Sequence, residues 1–86
     1  MEERIKRFLK SCMDAILAYE AKTMSRRDAA ITVVDAGMRE GLWDDGTEDT
    51  VAIITMAMEL TSPDDVYSGD PVADWARMKR RLQSLS

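Results

Sequence analysis

The sequence predicts an all-α fold, a small antiparallel bundle of four helices plus a short helical turn, and three observations carry that expectation. Apolar residues recur at helical spacing through most of the chain. No segment alternates apolar and polar residues with period two over a useful length, so strands lack their signature. Capping residues or prolines stand ahead of three of the four apolar stretches. At 86 residues, with 45% hydrophobic and 33% charged side chains, the chain reads as one globular domain spanning 1–86.

The first helix is expected from about Glu2 to Lys22. Ile5, Phe8, Leu9, Cys12, Ile16 and Tyr19 form one continuous face, which Met13 and Leu17 widen. Ser25 followed three residues later by Asp28 predicts the cap of a second helix. Its inner face is expected at Ala30, Val33, Val34, Gly37 and Met38. Gly37 inside that helix implies either a close crossing or an early end, and Gly41 is the better stop. Leu42 and Trp43 are expected to fold back as an apolar plug. Asp44-Asp45-Gly46-Thr47 reads as a turn, with Asp45 or Thr47 as the next cap.

The third helix, about Glu48 to Leu60, is apolar almost all round. Such a helix is buried on several sides or supplies an oligomer face through Val51–Leu60. Ser62 and Pro63 start only a short turn through Tyr67. Asp70 and Pro71 then start the fourth helix, expected to present Val72, Trp75, Ala76, Lys79 and Leu82 along one face. Arg77, Lys79, Arg80 and Arg81 complement its negative C-terminal end.

Charge is segregated along the chain. Net charge is −4, yet residues 44–70 hold eight acids and no base. The expectation is that these acids converge into one exterior zone that docks a basic protein surface, with Asp44, Asp45, Glu48, Asp49, Asp64, Asp65 and Asp70 as its contacts. Against it stands the fact that most of these positions are caps or first-turn sites, where acids are expected anyway.

Several functions are disfavoured. There is no histidine, and Cys12 is the single cysteine. Histidine-based catalysis, a disulfide and a cysteine-cluster metal site therefore have no residues to build on. Neither Gly46 nor Gly69 fits the central glycine of a calcium-binding loop, so no metal and no cofactor are expected. Ala29 to Trp43 faintly suggests a helix-turn-helix, but Val33 stands where a small residue belongs and acids occupy the would-be recognition helix. A nucleic-acid-binding regulator is thus the weakest of the non-enzymatic readings. No stretch approaches the roughly 20 apolar residues of a membrane span, and no cleavable leader is visible at the N-terminus. A reducing, cytoplasmic setting fits one thiol.

The functional expectation is a non-enzymatic protein–protein interaction module. Its size, helical class and acidity are those of small bacterial or phage inhibitor and immunity-type proteins, a likeness of class with no shared motif behind it. The alternative is a homo-oligomeric structural bundle. Trp43 and Trp75 are expected in the core, and either one becomes a binding hot spot if exposed.

Overall fold

A computed structural model describes residues 2–85. Five helices follow in order: α1 (Glu3–Glu20), α2 (Arg26–Arg39), the single turn α3 (Leu42–Asp45), α4 (Glu48–Leu60) and α5 (Pro71–Leu85). There is no strand among the described residues. The four long helices close a ring in which α1 packs on α2, α2 on α4, α4 on α5 and α5 back on α1.

Side-chain contacts fix the directions. Arg7 near the start of α1 reaches Glu40 at the end of α2. Arg27 at the start of α2 donates to the Thr61 carbonyl just past α4. Arg81 late in α5 meets Asp49 early in α4. Tyr19 late in α1 stacks on Trp75 early in α5. Every neighbouring pair is therefore antiparallel, as short connections between sequential helices favour.

The helix starts follow local chemistry. Ser25 Oγ accepts from the Asp28 amide at 3.1 Å. Thr47 Oγ1 accepts from the Thr50 amide at 3.3 Å. Asp70 Oδ1 accepts from the Val72 amide at 3.1 Å, with Pro71 at the first helical position. Each satisfies an orphan donor at a helix N-terminus. Asp45 lies inside the turn α3 instead of capping α4. Gly41 takes the left-handed conformation (φ 71°) that ends α2, and Leu42 behind it is fully buried.

The end of α1 shows what spacing did not reveal. Lys22 sits at φ 63°. Its amide donates to Tyr19 O at 3.0 Å, and the Thr23 amide donates to Ala18 O at 2.9 Å. This left-handed terminus is usually glycine, because a Cβ there costs roughly 1–2 kcal/mol.

The core is one cluster contributed by every helix, with Phe8, Ile16, Leu42, Ile53, Ile54, Leu60, Met78 and Leu82 among its largest fully buried members. The buried face of α2 is Ala29, Ala30, Val33, Ala36 and Gly37, all small. Met38, expected inside, is 42% exposed. On α1, Leu17 is 53% exposed in place of widening the inner face. On α5 the inner stripe is Trp75, Met78 and Leu82, whereas Val72 and Ala76 face solvent. Trp43 is 39% exposed, so only Leu42 serves as the plug. The apolar excess of α4 is taken up between α2 and α5, and none of the large exposed apolar residues lies on it.

Gly37 resolves in favour of a close crossing. A Cβ there would stand 2.5 Å from Ile54 Cδ1 and 3.3 Å from Phe8 Cε1, both in the packed centre. Gly37→Ala gains about 1 kcal/mol of helix propensity but meets roughly 1–3 kcal/mol of overpacking, so a net loss near 1 kcal/mol is expected. Gly37→Val should lose more. Urea denaturation reads both, and an alanine variant more stable than wild type would show that Ile54 gives way freely. The same assay on Lys22→Gly should show a gain of about 1 kcal/mol, because that change relieves the left-handed backbone; an unchanged or lower midpoint would count against the strain.

Candidate functional site

The acids of residues 44–70 do not converge. Asp44, Asp45, Glu48 and Asp49 lie around the start of α4, whereas Asp64, Asp65 and Asp70 lie beyond its far end. The 13 residues of α4 hold the two groups about 20 Å apart. The expectation of a single exterior acidic zone is corrected on this point.

Bases from other helices also meet several of these acids. Arg4 pairs with Asp45 at 3.3 Å, Arg81 with Asp49 at 3.0 Å and Arg26 with Asp64 at 2.7 Å. Asp70 is occupied as the cap of α5. Asp44, Glu48 and Asp65 are exposed and have no ion pair among the described residues.

Arg26 deserves its place in the fold. Its side chain is only 9% exposed. It donates to the carbonyls of Leu60 and Ser62 and to Asp64, and its guanidinium lies 4.2 Å from the centre of the Tyr67 ring. The Tyr67 hydroxyl in turn donates to Asp74 on α5. Burial first, and then that bond to a carboxylate, push the Tyr67 phenol up to about 12. This chain of contacts pins the 61–70 connection between α2 and α5.

A concavity lies elsewhere, along the seam of α1 and α5. It is a groove of about 1000 Å³. Its apolar wall includes Ile16, Tyr19, Met24, Val72, Trp75 and Ala76, and polar residues, including Lys22, Lys79 and Arg80, line the rest. Tyr19 and Trp75 stack with ring centroids 5.3 Å apart. Val72, 72% exposed, is the most exposed large apolar residue described. Lys79 is held by Glu20 at 3.3 Å, whereas Lys22 and Arg80 have no ion pair among the described residues. Trp75 Nε1 is buried with no hydrogen-bond partner among the described residues, a cost of roughly 1–3 kcal/mol that few native polar groups carry.

A smaller depression on the outside of α2 is lined by Arg27, Ile31, Val34, Asp35, Met38 and Thr61. Cys12 is fully buried in the core, and burial pushes its thiol up to about 12, so it is protonated at neutral pH. No group of three or more His, Cys, Asp or Glu side chains among the described residues could hold a metal ion. No described helix is long and apolar enough to cross a membrane.

Fold and groove together define a class: a small antiparallel helix bundle with an open seam between its first and last helices. Comparison with known proteins finds no matching family model, curated protein or solved structure.

The groove escaped the sequence reading because its two walls are some 50–60 residues apart in the chain. Val72, three residues ahead of Trp75, was expected on the inner face of α5 and instead lines the groove.

The ion pair closing the opposite end of the α1–α2 seam yields a pH test. The hydrogen bond from Arg7 holds the Glu40 carboxyl below its ordinary value of 4.5. A depressed acid stabilises the fold above its unfolded value, and that contribution is lost as pH falls through the folded one. Glu40→Gln should therefore be less stable than wild type at pH 7, and the difference should vanish once pH is well below 4.5. Urea midpoints across the acid range check this; a gap that persists in acid would place the effect in packing.

Proposed function

We propose that this protein is a non-enzymatic interaction module that acts in the cytoplasm and binds its partner in the α1/α5 groove. The observation that carries the reading is the exposure of Val72 beside the Tyr19–Trp75 stack, in a groove of about 1000 Å³. Concave, mainly apolar clefts with a few convergent polar groups are where ligands bind. Aromatic residues in such clefts supply much of the binding energy. A free thiol buried in the core suits a reducing compartment.

A second reading keeps part of the acidic segment. Trp43 is 39% exposed and is followed in sequence by Asp44 and Asp45, with Glu48 opening the next helix. An aromatic face among carboxylates suits a basic partner, through cation–π and ionic contact. The groove ranks above it because it offers a concavity of about 1000 Å³ with several apolar residues in its lining.

One experiment separates the two. A photoreactive residue is placed in the native host at position 72, at position 43, or at Thr55, which is exposed on α4 away from both surfaces. Specific adducts from position 72 alone are expected. Adducts from 43 alone would transfer the function to the acidic end. Equal adducts from all three, or none from 72, would remove the groove. Val72→Asp should melt within a few tenths of a kcal/mol of wild type, as an exposed substitution does, and combined with a photoreactive residue at the groove position Gln83 it should abolish adducts there.

A further inference from the structure

We propose that the occupant of the groove is an amphipathic helix of a protein partner, its apolar face flanked by acidic side chains. This rests on the groove reading above and adds the partner's chemistry.

The first argument is shape. On α5 the lining runs from Val72 through Trp75, Ala76, Lys79 and Arg80 to Gln83. At 1.5 Å per residue, that is about 16 Å, or three helical turns. The opposite wall is supplied by the last turns of α1 and the segment leading into α2. A trough of three turns between two helices is the shape that a further helix fills with anchors at i, i+3 or i+4, and i+7. A compact small molecule would touch only part of it.

The second argument is charge. Lys22, Lys79 and Arg80 border the trough, and the single acid among the lining residues, Glu20, is already engaged by Lys79. That leaves Lys22 and Arg80, which have no ion pair among the described residues, as cations without a counter-charge at the groove. A protein with net charge −4 thus presents this apolar cleft inside a positive border. Carboxylates on the incoming helix complement that border and speed encounter, whereas a basic helix is repelled.

The test uses the full chain, labelled with ¹⁵N, and three probes. The first is a synthetic capped peptide of roughly 16 residues, with leucines at helical i, i+3, i+7 spacing and glutamates on both flanks. The second replaces every glutamate by lysine. The third is laurate, a small apolar acid. The glutamate peptide should shift the amides of residues 16–25 and 72–83, with affinity falling as salt rises. In the double variant Lys22→Glu, Arg80→Glu, its affinity should fall at least about tenfold, and the lysine peptide should gain. Both positions are surface ones, so a melting curve confirms that the variant is folded. If the lysine peptide binds wild type as well as the glutamate peptide does, or laurate alone enters the groove, the acidic-helix proposal is overturned while the groove stands. If no probe shifts these amides, and photo-cross-linking from position 72 is also silent, the groove reading itself fails.

Discussion

The small side chains on the buried face of α2 decide where the other helices go. Ala29, Ala30, Val33, Ala36 and Gly37 give that helix almost no bulk toward the centre. Ile54 of α4 and Phe8 of α1 can therefore reach its backbone, close enough that Gly37 has no room for a Cβ. Interaxial distance follows the side chains at the contact, and here the contact is nearly bare. The centre of the bundle is thereby committed to α1, α2 and α4, and α5 must close the ring from outside with larger residues, Trp75, Met78 and Leu82.

Charge then follows the antiparallel arrangement. Along the chain the acids of 44–70 stand apart from every base. Folding reverses this, because bases of other helices arrive at both ends of α4: Arg81 of the antiparallel α5 and Arg4 of α1, which runs the same way as α4, at the start, and Arg26 and Arg27 of the antiparallel α2 at the finish. Exposed pairs of this kind contribute about 0–1 kcal/mol each, so they are not what holds the bundle together. Their effect is to break a long anionic segment into two partly neutralised ends. Arg26 differs, since its buried guanidinium satisfies carbonyls at the end of α4 that have no helical partner.

What was legible in the sequence were the local signals. Ser25, Thr47, Asp70 with Pro71, and Gly41 act at the helix ends where their chemistry places them. Periodicity also located the inner face of α1 in outline, with Phe8, Leu9, Cys12 and Ile16 buried. It failed wherever the width of a face depends on a neighbour. Leu17, Met38 and Val72 extend their apolar stripes on paper, yet no helix comes alongside to cover them. Lys22 gave no signal, because a left-handed terminus is recognised in sequence by glycine and here a lysine adopts it. The convergence of acids failed for a related reason: proximity along a chain says little once a helix of 13 residues stands between two groups.

The seam itself has a cause in α5. Trp75, Met78 and Leu82 stand at i, i+3 and i+7, which at 100° per residue is a stripe only about 60° wide. A helix seated in a globular core usually presents at least about 100° of apolar surface. A stripe this narrow holds α5 against the core along a single line. The positions on one side of it, Val72, Ala76, Lys79, Arg80 and Gln83, are the α5 residues that, with Trp75, line the groove. Closing the seam would require bulky apolar residues at Ala76 and Gln83, and the sequence instead has a methyl group and an amide there. α1 and α5 are the first and last helices, so no short connection draws them together as it does α1 and α2. The stack of Tyr19 on Trp75 and the Glu20–Lys79 pair join the two walls, and the space beside them stays open. The groove is thus the counterpart of how narrow a stripe of α5 is buried.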